Sequence, residues 1–304
     1  MRVSTSLSST YLVDDARAGA GQMIDRARAA YAAGLEGLYV GDHHATSVPY
    51  YQNSPILGRL MAEWPDRRFG ALYLLPLWHP LVVAEQIGTL ASLGPGPFVF
   101  QCAIGGGEDQ FGPMGIPLDG RGGRFEASLA AVRAILAGEV VDDPDGPWGL
   151  RRARISPTPP EPVEIWIGGA GPKALARAAR LGDTWYAGPE LTDDDAEQKL
   201  AQYLDHDADP PCRPLRRDIY VGADEADVAR VREPLEQKGY RGFDLAALVT
   251  GTSEQVAERF PASASGASTR SSSASSPSTR WTPWRLSSDW PRFVGSSPRG
   301  NTTG

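Results

Sequence analysis

Short apolar runs and amphipathic stretches alternate along this chain with little else between them. The apolar runs are Arg2–Leu7, Gly37–His44, Arg68–Leu75, Pro97–Gly105, Val163–Gly168, Asp183–Gly188 and Arg216–Gly222. "PFVFQCAIG" is nearly continuous in apolar residues, the pattern of a strand covered on both faces. Between the runs, Ala20–Leu35 sets Met23, Ala27, Ala30 and Tyr31 at helical spacing. Pro80–Leu93 opens a helix with Pro at its first position. Gly122–Gly138, Pro172–Gly182 and Thr192–His206 predict further helices, the last with acids in its first turn, where the helix dipole favours them. "DEADVARVREPLEQKG" and "TSEQVAERF" predict helix after the seventh run.

Strand-then-helix units in strict alternation imply a parallel sheet. The expected fold class is α/β, a (β/α)8 TIM-type barrel. A doubly wound dinucleotide fold needs a Gly-rich turn after the first strand, and "SLSSTYLVDDARAGAG" has none there. The Pro-, Gly- and Asp-rich stretch 139–162 reads as an insertion loop. Residues 1–260 then form one barrel domain, and 261–304 a low-complexity, disordered tail.

Composition narrows the function. The net charge of −7 argues against nucleic acid or an anionic membrane as the main partner. Cys102 and Cys212 have no metal-ligand spacing and fit a reducing cytoplasm. No leader-like apolar segment and no long apolar run is evident, so a cytoplasmic location is expected.

In a barrel of this kind chemistry sits at the carboxyl ends of the strands. The second strand ends in Asp42-His43-His44, the third runs on to His79, and the fourth ends in Gly105, Gly106, Gly107 and Glu108. Three of the four His thus lie at one rim, where imidazole serves acid–base chemistry near neutral pH. A lone His more often orders a loop. The Asp-His-His cluster favours function, while His79 is balanced between loop structure and ligand contact. No partner carboxylate at ligand spacing supports a metal site. Gly168, Gly169, Ala170, Gly171 and Pro172 feed a helix N-terminus, a suitable cradle for a phosphate, although close helix–strand packing asks for the same residues.

These segments, together with "GLYVGDHH", "LLPLWHPLVVAEQIGTLASL", "IGGGEDQFGPMGIP", "GRFEASLAAVRAILAG", "IWIGGAGPKALARAARLGDTW" and "TGTSEQVAERF", resemble the luciferase-like flavin-dependent oxidoreductases in order and spacing from Met1 to about Phe260. The resemblance implies FMN or coenzyme F420 at the barrel mouth. It implies a monooxygenase using reduced FMN and O2, or F420-dependent hydride transfer, on a small organic substrate. His43 would match the catalytic rim histidine, with Asp42 orienting it. Gly168–Pro172 would hold the cofactor phosphate, beside Gly105 and Gly106. Gly70-Ala71 would match a non-prolyl cis peptide behind the ring. His44, Tyr50, Tyr51, Gln52, Asn53 and His79 are placed on the substrate side by loop position. A flavin reductase partner and a homodimer are implied in the same way. One departure is "ASLGPGPFVF", which lacks the Asp-x-x-Ser-x-Gly-Arg turn usual before the fourth strand, so no Arg contact is carried over from there. The alternatives are a non-catalytic flavin-binding relative and a sugar-phosphate barrel enzyme. The latter is disfavoured by the scarcity of Lys, found only at 173, 199 and 238.

The tail has a second reading. Arg, Ala, Gly and Pro abound and Lys and Asn are scarce, as in a GC-rich gene. Read from the third base of each codon, TCG and TCC (Ser) and TGG (Trp) give codons with a middle T, which always encode apolar residues. Written with G and C at third bases and mostly the TCx form of Ser, Ala267–Trp284 can then read Val-Asp-Glu-Val-Leu-Val-Arg-Gln-Leu-Ala-Val-Asp-Pro-Val-Asp-Ala and one further apolar residue. The expectation is a frameshift just after Phe260, leaving the barrel without its eighth strand and last helix.

Overall fold

The computed structural model describes residues 2–11, 13–206 and 208–260. Its strands are β1 (Thr5–Leu7), β2 (Gly37–Val40), β3 (Arg68–Leu74), β4 (Val99–Ala103), β5 (Val141–Asp143), β6 (Leu150–Ala153), β7 (Glu164–Gly168), β8 (Thr184–Tyr186), β9 (Ile219–Gly222) and β10 (Val249–Thr252). Its helices are α1 (Ala16–Ala32), α2 (Asn53–Met61), α3 (Pro80–Ser92), α4 (Glu108–Phe111), α5 (Arg121–Leu136), α6 (Pro172–Leu181), α7 (Asp193–Leu204), α8 (Glu225–Lys238) and α9 (Ser253–Arg259). The described chain forms two compact units. The larger holds residues 2–188 and 197–216, the smaller 189–196 and 217 onward.

The larger unit is built on a six-stranded sheet in the order β1-β2-β3-β4-β7-β8. Every neighbour pair in it is parallel. Consecutive parallel strands need crossovers, and α1, α2, α3, α5 and α6 supply them. These helices bury one face each: Met23 and Ala27 on α1, Val83, Ala84 and Ile87 on α3, Phe125, Leu129 and Val132 on α5. Phe69, Phe98 and Phe100 fill the space beneath them.

Gly70 shows how tight the sheet is. It pairs with Tyr39 on one side and Val99 on the other. A Cβ there would sit 2.2 Å from the Val99 carbonyl oxygen, so only glycine fits. The cis peptide expected at Gly70-Ala71 is not found. Both residues are laddered on both sides in regular parallel register, which a cis bond would break. The one cis bond among the described residues is Ser156-Pro157.

Three elements depart from the sequence reading. The 139–162 stretch is not structureless: β5 and β6 form an antiparallel hairpin across the Pro-Asp-Gly turn. Residues 53–61 form α2, not loop. β10 runs parallel to β9 just ahead of α9, where only helix was expected. The predicted tail, and with it the frameshift and the missing closing strand, lies outside the described residues.

In the smaller unit β9 and β10 are covered by α8 through Tyr220, Val231, Leu235, Tyr240 and Leu248. Thr252 and Gln255 cap α9 reciprocally. Asp193 takes Arg217 at 2.7 Å and Arg259 at 2.9 Å. Asp227 accepts from Arg230 Nη2 (2.6 Å), the Ala223 N–H (3.1 Å) and the Tyr220 hydroxyl (2.9 Å). The Arg230 bond first, and then those from Ala223 and Tyr220, hold its carboxyl down at about 2. Its folded value lies below the ordinary one of about 3.9, so its contribution is present above about pH 4 and lost as pH falls through about 2. Asp227→Asn is therefore expected to flatten the acid limb of thermal unfolding between those values; an unchanged pH profile would assign that limb to other carboxylates.

Candidate functional site

The strand-end rim of the larger unit gathers the predicted residues from β2, β3, β4 and β7. After β2 burial alternates through Gly41–His44, the pattern of residues that face opposite ways in turn. Asp42 and His44 turn inward, with side chains 0% and 9% exposed. His43, between them, is half-buried.

Asp42 is the hub of the inward side. Its Oδ2 accepts from the Leu74 N–H at 2.8 Å and from Trp78 Nε1 at 2.7 Å, both just past or within β3. Its Oδ1 faces His44 Nε2 at 3.3 Å. The two atoms have no aligned hydrogen bond, and neither has another partner, so the contact is a close polar approach between buried groups. Asp42 thus engages His44 and the end of β3, where the sequence had paired it with His43. The reason is the alternation: residues 42 and 44 share a side and 43 does not.

The His44 backbone extends the network. Its N–H donates to Gln110 Oε1 at 3.1 Å, and Gln110 Nε2 donates to the Gly106 carbonyl at 3.2 Å. This chain ties the end of β2 to the end of β4, and Asp42 ties it to the end of β3. The His44 ring meets Trp78 edge-on at 5.2 Å, and Trp78 meets Tyr73 at 5.6 Å. Burial pushes the Tyr73 hydroxyl up, and it shares a 2.8 Å bond with Ser54. It stays protonated as a structural group. Cys102 is fully buried and burial pushes its thiol up, which makes it a poor nucleophile. Ala45, directly after His44, is left-handed at φ 53°, a costly turn for a residue with a side chain that throws the chain off the rim.

His43 has its own neighbours. Its ring lies 5.8 Å from the Tyr50 ring, and its carbonyl accepts from Gln52 Nε2 at 3.1 Å. Tyr50 and Gln52 therefore do sit beside it. Tyr51 and Asn53 do not share that role. The Tyr51 hydroxyl donates to the Ala16 carbonyl, at the start of α1. Asn53 is 0% exposed and spends its amide on the Leu72 carbonyl at 2.7 Å. It belongs to the first turn of α2, which the sequence reading took for a loop. His79 precedes α3 and meets Trp148 of the hairpin edge-on at 5.5 Å.

The glycines of the rim differ in kind. Gly105 and Gly107 are left-handed, at φ 64° and 86°. Gly169, at φ 131°, receives Trp185 Nε1 on its carbonyl at 2.7 Å, and a Cβ there would press on Ala174. This is the close helix–strand approach that competes with the phosphate reading. Gly106 and Gly171 have open space where a Cβ would be, and Gly171 precedes Pro172, the first residue of α6. Lys173, one residue further, is exposed in the first turn of α6. The sequence reading passed it over, although its place in "GGAGPKA" was the available signal. Glu108 is exposed at the start of α4. Among the described residues, no group of three His, Cys, Asp or Glu stands together as metal ligands, and no helix is long and apolar enough to cross a membrane.

The luciferase-like monooxygenase family matches residues 1–283, most of the chain and past Phe260, where the sequence resemblance was taken to end. This chain belongs to that family. The F420-dependent glucose-6-phosphate dehydrogenase of Beutenbergia cavernae is 32% identical over 166 residues, which is 50% of this chain and 47% of that one. The chain thus spans about half the length of the curated relatives it matches. Among solved structures, monooxygenase RslO1 from Streptomyces bottropensis superposes with a TM-score of 0.70 at 18% identity, over 85% of this chain and 87% of that one. The oxygenating constituent of 3,6-diketocamphane monooxygenase from Pseudomonas putida, in complex with FMN, gives 0.66 at 16% identity, over 85% and 87%. At these identities the likeness shows the fold alone, the α/β barrel class expected from the strand–helix alternation.

Proposed function

We propose that this luciferase-like chain is an oxidoreductase that holds coenzyme F420 across the strand-end rim and acts on a small organic substrate. The observation that carries the choice of cofactor is the 32% identity to an F420-dependent dehydrogenase. When bound, such a ring gives or takes a hydride. The residues present suit it. Gly106 and Gly171 leave open space on the rim, and Lys173 adds a cation beside the N-terminus of α6 for a phosphate. Gly168, Gly169, Ala170 and Pro172 keep that turn small, and Gly105 shapes the neighbouring one.

His43 is the acid–base group of this reading. It is half-buried beside Tyr50 and Gln52, and it takes up or returns the proton of the substrate's reacting group. Asp42, and Gln110 through the His44 backbone N–H, fix the backbone that carries it. Tyr50 and Gln52 line the substrate side.

A second reading, FMN with O2 and a separate flavin reductase, is favoured by the shared fold with the FMN-bound monooxygenase component. Titrating the purified chain with F420 and with FMN, followed by absorbance and fluorescence, separates the two. Saturable binding of F420 alone is expected. Binding of FMN alone replaces the first reading with the second, and binding of neither removes both. A cofactor that binds but supports no turnover with any donor or acceptor assigns the chain to the non-catalytic relatives.

A further inference from the structure

β1 ends the six-stranded sheet of the larger unit, and its outer edge has no strand partner among the described residues. An exposed strand edge is a template for pairing, and a barrel leaves no such edge. Val3, just ahead of β1, is 47% exposed. Independently, the smaller unit lacks apolar cover: Ile219 and Val221, on one face of β9, are 45% and 46% exposed, while Tyr220 on the other face is buried.

We propose that the strand which pairs with the free edge of β1 is encoded in this gene, one frame away from the tail. A single base lost from the reading between codons 260 and 267 replaces it with residues 261–304. The argument does not depend on free choice of codons throughout. Trp has one codon, TGG, and Phe begins TT. Read from the third base, the positions of Trp281, Trp284, Trp290 and Phe293 must therefore become apolar, whatever the codon usage. With G or C at third bases, AGG at Arg270, AGC at Ser275 and TCN at the other serines, Ala267–Trp284 can read Val-Asp-Glu-Val-Leu-Val, a strand pattern, and then Arg-Gln-Leu-Ala-Val-Asp-Pro.

With AGC at Ser288, AGG at Arg292 and G or C at third bases, the same shift carried on through Phe293 can read Val-Asp-Ala-Leu-Ala-Ala-Val-Glu-Arg-Leu-Ala-Glu-Val. That is a run of strong helix formers. Asp before Pro supplies an N-cap and a first helical residue. A strand, a capped helix start and a helix, in that order, follow α9 as the next strand–helix unit.

Two measurements test it. The first is the nucleotide sequence of codons 267–293 from independent isolates. TCN codons at Ser271, Ser272 and Ser273 are expected, since each yields an apolar residue in the shifted frame. AGC or AGT there would yield Gln, Lys, Glu or a stop, and would overturn the proposal. The second compares the full chain as it stands with a full-length gene carrying one inserted base between codons 260 and 267. Circular dichroism melts need no cofactor, so this arm is independent of the proposed function. The restored chain is expected to melt about 10 °C or more higher and to give a larger soluble fraction. An equal or lower midpoint overturns the proposal, as does a dimer of the original chain whose stability the insertion does not raise, since a second copy would then cover the edge.

Discussion

Replacing His43 by alanine is expected to lower turnover about 10²–10⁴-fold, the range for loss of a positioned acid–base group. The dissociation constant for the cofactor should hardly change. The separation follows from geometry. His43 is half-buried next to Tyr50 and Gln52, whereas the phosphate contacts proposed for the rim come from the turn before α6. His44→Ala is the matched control. That imidazole is 9% exposed and wedged against Asp42 and Trp78, so its removal should lower the melting temperature first and activity only in proportion to folded protein. Steady-state rates with a substrate the parent turns over, with cofactor titrations alongside, give both readouts. Full activity in His43→Ala would move the acid–base role to another rim group, with exposed Glu108 the first to try. A large loss of cofactor affinity would make His43 a binding residue.

Much of the larger unit was legible because its strands are short apolar runs between helices with ordinary start and stop signals. α6 begins at the expected Pro172 and α3 at the expected Pro80, since Pro at the first helical position is a local signal. What the sequence hid was longer in range or weaker in pattern. α2 follows directly on the polar stretch at Tyr50–Asn53, so its first turn read as loop. The β5–β6 hairpin is too short and too exposed to show an alternating pattern. At the rim, the residue types were visible but their partners were not. That Asp42 turns to His44 and Trp78 is a consequence of strand alternation at a strand end, while Gln110 enters through its bonds from α4 to the His44 N–H and the Gly106 carbonyl. Family membership came from the whole ordered set of segments, which no single rim residue could have supplied.

Asp42→Ala is expected to cost about 2–4 kcal/mol, because it strands two donors at once and a buried unsatisfied group costs about 1–3 kcal/mol. The donors are the Leu74 N–H and Trp78 Nε1, held at 2.8 and 2.7 Å on one oxygen of a side chain with no exposure. Against a total stability of about 5–15 kcal/mol this is a large share. Asp42→Asn should lose much less, since its amide oxygen can accept both bonds and its amide nitrogen can face His44. The Asn variant therefore isolates charge from hydrogen bonding. If charge were the main contribution, Asn and Ala would destabilise alike in urea unfolding, and the picture of a carboxylate acting as a two-bond clamp would fail. Gln110→Ala completes the comparison. It cuts the link from the His44 N–H to the Gly106 carbonyl but leaves Asp42 untouched. Its cost should add to that of Asp42→Ala if the two ends of the network are independent, and fall short of the sum if the rim yields as one unit. A shortfall would mean that the ends of β2, β3 and β4 loosen together, so that any change reaching one of them disturbs the backbone carrying His43.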